Sequence, residues 1–116
     1  MNKDKKTLFL IDLCARLYYR PNGALLRTGF DNEEVEVIGY NGRFVEVFRK
    51  GDFDEIPVDS IKLYLRPMDS MTEEEEIYYN TIYTTLKFYE KEDWLNAHHF
   101  DYRGLIPMGL ALKKKK

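Results

Sequence analysis

The apolar residues near the start of the chain fall three or four positions apart: Leu10, Leu13, Cys14 and Leu17. Asp12 and Arg16 lie four residues apart, in the order that supports a helix. This spacing predicts a helix over Thr7–Tyr18. The unbroken apolar run Leu8–Ile11 leaves a strand over Thr7–Leu13 as the alternative, because periodicity cannot distinguish the two in so short a run.

From Ala24 to Pro67 the apolar period shortens to two, which is typical of strands. The predicted strands are Ala24–Phe30, Glu34–Tyr40, Arg43–Lys50 and Ile61–Arg66. Asn41-Gly42 is the strongest hairpin signal, since both residue types accept positive φ. Such short strands bury one face only by curling tightly, so we expect a small antiparallel SH3-like β-barrel or curled sheet over residues 24–67.

The run Glu73–Glu76 marks the start of a helix, because carboxylates are favourable at the positive end of the helix dipole and Ser70 or Thr72 can cap it. We predict a long helix over residues 70–91, with an apolar stripe facing the sheet: Tyr78, Ile82, Leu86 and Tyr89. A short helix and packed tail follow over residues 92–112, and residues 113–116 are expected to be disordered. The whole chain, 1–116, is predicted to be one α+β domain.

Composition narrows the function classes. The 18 Lys and Arg residues against 20 Asp and Glu give a net charge of −2, so nucleic acid would need a local basic patch. The single cysteine, Cys14, excludes an internal disulfide and is expected to be a small buried apolar side chain. Since no apolar stretch is long enough for a bilayer, we expect a cytoplasmic protein without membrane contact.

Catalytic and metal-binding signatures are missing from the sequence. His98 and His99 are the only imidazoles. Adjacent residues on a helix point about 100° apart, so the two cannot share one ion without distortion. There is no phosphate-binding glycine loop, nucleophile elbow or zinc-protease motif. We therefore expect no metal, no cofactor and no enzymatic activity.

The segment Phe100–Leu105 concentrates aromatic and charged residues beside a glycine. In the structural interpretation, Asp101 caps a turn and Arg103 pairs with a carboxylate or stacks on an aromatic ring. The alternative is a contact surface built from Tyr102 and Arg103, since Tyr and Arg are favoured at interaction hot spots. The full candidate binding set is Arg66, Trp94, His98, Tyr102 and Arg103.

Four segments resemble a group of uncharacterised small proteins from phages and prophages of gut Bacteroidales: Asp12–Leu17, Leu65–Met68, Met71–Glu75 and Trp94–Ile106. The resemblance implies a viral or mobile-element origin and a bacterial cytoplasm, and it supplies no activity. Chains of that group continue past the Gly-Leu-Ala segment, whereas this one ends in four lysines. The segment Ile56–Leu65 is similar in pattern to the last turn and strand of Tudor and KOW modules.

Three functions are compatible with these observations. The first is a non-enzymatic adaptor or inhibitor that binds a host or phage protein. The second is a nucleic-acid-binding SH3-like domain, whose stacking groove would use Tyr18–Arg20, Arg43-Phe44 and Phe48–Lys50. The third is a small-molecule or nucleotide site lined by tyrosines and closed by Arg66 or Arg103. A homo-oligomer formed through an unpaired edge strand is also compatible with the sequence.

Overall fold

The computed structural model begins with a helix, continues into a sheet and ends with two further helices and a short strand. It describes the backbone of residues 2–26, 32–85 and 88–114, and the side chains of residues 2–26, 32–81 and 90–114. The helices are α1 (Lys3–Arg16), α2 (Glu73–Thr85) and α3 (Phe88–Ala97). The strands are β1 (Asn22–Leu25), β2 (Glu33–Tyr40), β3 (Phe44–Arg49), β4 (Asp52–Pro57), β5 (Ile61–Leu65) and β6 (Ala111–Lys113). The predicted α+β class is confirmed.

The described strands form one open sheet in the order β4-β3-β2-β1-β5-β6. All neighbours are antiparallel except β5 and β6, which run parallel. The sheet is therefore mixed and open, so of the two expected forms the closed barrel is wrong, and the pairing is not purely antiparallel as expected. β4 and β6 lie at its two edges because each pairs with only one neighbour.

The core lies between one face of the sheet and α1. Alternate residues of the central strands point inward and are almost fully buried: Val35, Val37, Val45, Val47, Ile61, Leu63 and Leu65. Phe9 and Leu13 of α1 pack against them, which confirms the predicted helix and excludes the strand alternative. The predicted burial of Cys14 is wrong, because its side chain is exposed on the opposite face of α1 from Phe9 and Leu13.

Two strands were not predicted from the sequence. β4 reads Asp-Phe-Asp-Glu-Ile-Pro, and Asp, Glu and Pro are depleted in strands. β6 is only three residues long, and the backbone N–H of Lys114 extends its contact by donating to Leu65 O at 2.7 Å. The expected disorder of residues 113–116 is wrong for Lys113, which lies in β6. Residues 115–116 lie outside the described residues. So does most of the predicted strand Ala24–Phe30.

The tight two-residue turn of the sheet lies at Lys50-Gly51. Both residues have positive φ, 51° and 80°, and Arg49 pairs with Asp52 across the turn. The predicted hairpin at Asn41 forms as well, but its loop is wider, and Asn41 Oδ1 accepts from the amides of Arg43 and Phe44. Only Gly42 has positive φ there.

Residues 70–91 form parts of two helices rather than one. The Trp94 ring of α3 lies 5.4 Å from the Tyr78 ring and 6.0 Å from the Tyr79 ring of α2. In one straight helix Tyr78 and Trp94 would be about 24 Å apart, at 1.5 Å per residue, so α2 and α3 are not parts of one straight helix. The side chains of the other three stripe residues, at 82, 86 and 89, lie outside the described residues.

A buried ion pair joins α1 to the C-terminal segment. Asp12 and Arg16 are both 0% exposed. Arg16 donates from Nε to Asp12 Oδ2 at 2.8 Å and from Nη2 to the carbonyl oxygen of Phe100 at 2.6 Å. Arg103 Nη1 donates to Asp12 Oδ1 at 2.8 Å. One carboxylate therefore binds two guanidinium groups and holds residues 100–103 against the helix.

The Asp12→Asn variant tests how much stability this ion pair supplies. Neutralising Asp12 leaves the Arg16 charge buried without a counter-charge, so we expect a loss of about 3 kcal/mol in the free energy of unfolding. Glu36→Gln is the matched control, because it removes the exposed Arg20–Glu36 pair at 3.4 Å and should cost no more than about 0.5 kcal/mol. Urea denaturation measures both, and equal losses would contradict a central role for Asp12.

Candidate functional site

The five residues singled out in the sequence separate into two contact groups that meet at Phe100. Tyr102 and Arg103 belong to the first. The guanidinium carbon of Arg103 lies 4.5 Å from the centre of the Tyr102 ring, and the Tyr102 hydroxyl donates to Asn96 Oδ1 at 3.0 Å. Arg103 also pairs with buried Asp12. Both side chains are thus engaged in internal contacts, as the structural interpretation predicted.

Arg66, Trp94 and His98 form the second group. The Trp94 ring lies 4.5 Å from the His98 ring and 5.7 Å from the Phe100 ring. The guanidinium of Arg66 lies over the Phe100 ring, 4.2 Å from its centre. His98 Nδ1 lies 3.0 Å from the Trp94 carbonyl oxygen. These residues leave an open groove of about 250 Å³, lined by Glu74, Glu75, Tyr78, Trp94 and His98.

Glu75 positions this aromatic group. Its carboxylate accepts two hydrogen bonds from Arg66, at 2.6 and 2.8 Å, and one from the backbone N–H of Thr72 at 2.9 Å. Thr72 Oγ1 in turn accepts from the Glu75 amide at 3.1 Å, which completes a capping box at the start of α2. The bonds from Arg66 are the main reason that the pKa of Glu75 falls from 4.5 to about 2.

Asp101 caps the turn that follows Tyr102 and Arg103. Its two carboxylate oxygens accept from the amides of Leu105 and Ile106 at 2.7 and 2.9 Å. The predicted capping role of Asp101 is confirmed. The backbone of Asp101 and Arg66 also pairs, with an Asp101 N–H to Arg66 O distance of 2.8 Å, so the two groups share one rigid frame.

An exposed aromatic pair on the sheet was not predicted from the sequence. Side chains alternate between the two faces of a strand, and Val45, Val47 and Ile56 point into the core. Phe48 and Phe53, directly opposite each other in β3 and β4, therefore point outward, with ring centres 5.3 Å apart. Phe53 is 71% exposed. The pair was missed because β4 itself was not recognised as a strand.

Carboxylates surround this pair. Glu46 and Glu55 face each other across β3 and β4 on the same outer face. A groove of about 380 Å³ lies beside them, lined by Ile38, Glu46, Phe53, Asp54 and Glu55. We call the set Ile38, Glu46, Phe48, Phe53 and Glu55 the acidic aromatic face. Like charges directly opposite each other destabilise a sheet, so the pairing of Glu46 with Glu55 has a free-energy cost in the folded protein.

The partners of the two glutamates differ. Glu55 Oε2 accepts from Asn41 Nδ2 at 2.6 Å. Within the described ranges, Glu46 makes no ion pair and no side-chain hydrogen bond. Glu46 is therefore the carboxylate of the acidic aromatic face that is free to meet a cation from outside.

The edge beside this face is closed to strand addition. Hydrogen-bonded pairs alternate along an antiparallel ladder, and the pair that flanks a two-residue turn is bonded, so the amides of Phe53 and Glu55 point away from β3. Asp52 Oδ1 accepts the Phe53 amide and Asp54 Oδ1 accepts the Glu55 amide, both at 2.8 Å. Pro57 has no N–H. β4 thus offers no free donor to another strand.

The arginines proposed for a nucleic-acid groove make contacts with other side chains. Arg49 pairs with Glu33 at 2.7 Å and with Asp54 at 3.2 Å. The guanidinium of Arg43 lies 5.3 Å from the centre of the Phe44 ring. Tyr19 donates to Asp93, and this bond raises the pKa of the Tyr19 hydroxyl to about 12. These groups do not form one free basic surface.

The described residues contain neither a metal-binding cluster nor a membrane-spanning helix. Across residues 2–26, 32–85 and 88–114, no group of three or more His, Cys, Asp or Glu side chains is arranged to hold a metal. No helix in the same ranges is long and apolar enough to span a bilayer. Comparisons with protein-family models, with curated proteins and with solved structures find no match.

His99 supplies a pH-dependent term that can be measured. Its backbone has φ of 61°, and its buried Nδ1 has no hydrogen-bond partner among the described residues. Burial, followed by the positive charges of Lys114 and Arg16, lowers the pKa of His99 from 6.5 to about 4. Between these values the unfolded chain binds more protons than the folded one, so stability falls as the pH drops from 6.5 to 4.

We expect His99→Asn to flatten this part of the stability profile, because Asn tolerates positive φ and does not titrate. The free energy of unfolding, measured by urea denaturation at several pH values, checks this. His98→Gln is the control and should retain the slope, since it keeps the buried imidazole. A slope unchanged in His99→Asn would contradict the assignment.

Proposed function

We propose that this protein is a non-enzymatic binding module that docks on a protein partner through the acidic aromatic face. The observation that carries the proposal is the outward-facing pair Phe48 and Phe53, since aromatic residues dominate the energetics of protein interfaces. Phe53 keeps 71% of its surface exposed although the sheet has a complete core on its other face. The contact with Phe48 uses only part of the Phe53 ring, and the rest of the ring is available to a partner.

The strand order supports a finer assignment of the fold. Four strands follow one another as a meander, and β5 returns to pair with β1 after a short 3₁₀ turn at residues 58–60. We assign this five-strand unit to the SH3-like class, with β6 as an addition at the β5 edge. Domains of this class commonly bind peptides on aromatic surfaces, so the assignment agrees with a binding role.

The biological setting of the proposal comes from the sequence resemblance. We infer that the module belongs to a phage or prophage of gut Bacteroidales and acts on a host or phage protein in the bacterial cytoplasm. Small adaptors and inhibitors of this kind need a stable scaffold and one recognition surface, and they need no cofactor.

The two alternative functions find less support in the geometry. For nucleic acid, Arg20 and Arg49 of the predicted groove are paired with carboxylates. For a small anionic ligand, the guanidinium of Arg66 is held by both oxygens of Glu75, and Arg103 by Asp12. Neither arginine is free to close a pocket on an anion without giving up its partner.

Affinity capture from Bacteroidales lysate tests the proposal with three tagged proteins: wild type, Phe53→Ser and Tyr18→Ser. We expect a nuclease-resistant, stoichiometric protein with the wild type, and its loss with Phe53→Ser. Tyr18→Ser is the matched control, because Tyr18 is 88% exposed but lies outside the acidic aromatic face. Tyr18→Ser should change the free energy of unfolding by no more than about 0.5 kcal/mol. Phe53→Ser also removes the ring contact with Phe48 and should cost no more than about 1 kcal/mol.

Thermal melting of the three proteins verifies that each is folded. Retention of the captured protein by Phe53→Ser would overturn the proposal, and so would the absence of any reproducible protein with the wild type. Capture that disappears after nuclease treatment would overturn the proposal and support nucleic-acid binding instead.

A further inference from the structure

We propose that the acidic aromatic face binds a lysine- or arginine-bearing segment, with one cationic side chain of the partner seated between Phe53, Glu46 and Glu55. The inference rests on the proposed function and goes beyond it by naming the chemistry of the partner. Its basis is the charge on both sides of the exposed aromatic pair.

The first step concerns the groove beside Phe53. Its volume of about 380 Å³ accommodates the end of a long side chain, and its lining combines Ile38 and Phe53 with the carboxylates of Glu46 and Glu55. Asp54 also borders the groove, but its carboxylate is bound by Arg49 and by the Glu55 amide. An ammonium or guanidinium group in this position would lie near an aromatic ring and near carboxylates at the same time. Both contacts attract a cation, and neither attracts an anion.

The second step concerns the opposed glutamates. Glu46 and Glu55 repel each other across the two strands, and Glu46 has no cationic partner in the part of the chain that the structure describes. Nearby Arg49 is turned toward Glu33 and Asp54 and is not available to Glu46. A cation from a partner would remove the repulsion, so its binding gains more than the new contact alone.

The third step excludes docking by strand addition. The outward amides of Phe53 and Glu55 are already bound by Asp52 and Asp54, and Pro57 offers no donor. A partner strand at this edge would find only carbonyl oxygens, and half of the usual ladder could not form. The partner segment must therefore lie across the outer face, where recognition depends on side chains.

The fourth step excludes a second copy of the chain as the symmetric occupant. A two-fold interface would bring the same surface of each molecule together. Glu46 and Glu55 of one copy would then approach Glu46 and Glu55 of the other, adding repulsion to the repulsion already present within each face. A basic segment on a different protein is the complement that the charge pattern fits.

A peptide titration tests the proposal. The probes are a short glycine-rich peptide containing one lysine and one arginine, and the same peptide with glutamate at both positions. Amide chemical shifts of the full-length protein are followed by NMR. We expect the cationic peptide to shift the amides of Glu46, Phe53 and Glu55, with binding that weakens as salt is added, and the acidic peptide to leave them unchanged.

The matched variants are Glu46→Gln and Asp69→Asn, which make the same change in net charge. Glu46→Gln should weaken binding of the cationic peptide by about 1.5- to fivefold, the range for one exposed charge contact. Asp69→Asn lies away from the face and should have no effect. Equal affinities for the two variants, or no shift at the face with the cationic peptide, would overturn the inference.

The outcomes separate this inference from the proposed function. A captured protein that depends on Phe53 but is not displaced by the cationic peptide would overturn the cationic-segment proposal alone. A concentration-dependent dimer in sedimentation that is lost in Phe53→Ser would also overturn it, because the occupant would then be a second copy. Capture that survives Phe53→Ser removes the proposed function itself, whatever the peptides do.

Discussion

The buried pair of Asp12 and Arg16 is the interaction on which the arrangement of helices depends. Removing charges from water is costly, and an isolated buried guanidinium would not be tolerated. Arg16 is accommodated because Asp12 and the carbonyl oxygen of Phe100 accept hydrogen bonds from its guanidinium N–H groups. The Phe100 ring also contacts the guanidinium of Arg66. Arg66 in turn donates to Glu75 at the start of α2. Charge contacts thus connect α1, the C-terminal segment and α2.

This internal use of arginine determines what remains on the surface. Arg16, Arg66 and Arg103 are taken up by buried or partly buried carboxylates, and Arg49 by the sheet edge. The outer face of β3 and β4 is left with aromatic rings and glutamates. The net charge of −2 does not show that the arginines are paired internally while glutamates lie on the outer face of β3 and β4. The local distribution, which only the fold reveals, decides the chemistry of a partner.

Features with a local cause could be predicted from the sequence. The helix containing Leu13, the start of α2 with its Thr72–Glu75 capping box and the turn closed by Asp101 each follow from neighbouring residues. The burial of Asp12 and Arg16 could not be predicted, because it depends on Phe100 and Arg103, more than eighty residues away. The acidic aromatic face was missed for a related reason. It exists only when β4 pairs with β3, and the composition of β4 opposes strand formation.

The composition that concealed β4 is also what its position requires. An edge strand with free amides invites pairing with other chains, and Asp52, Asp54 and Pro57 remove those donors. Asp54 also accepts a hydrogen bond from Arg49, whose main partner is Glu33. The protection of the edge and the charge of the groove beside Phe53 therefore share Asp54. Replacing Asp54 by alanine would remove the acceptor of the Glu55 amide, so the acidity of this strand is constrained by the need to keep the edge unpaired.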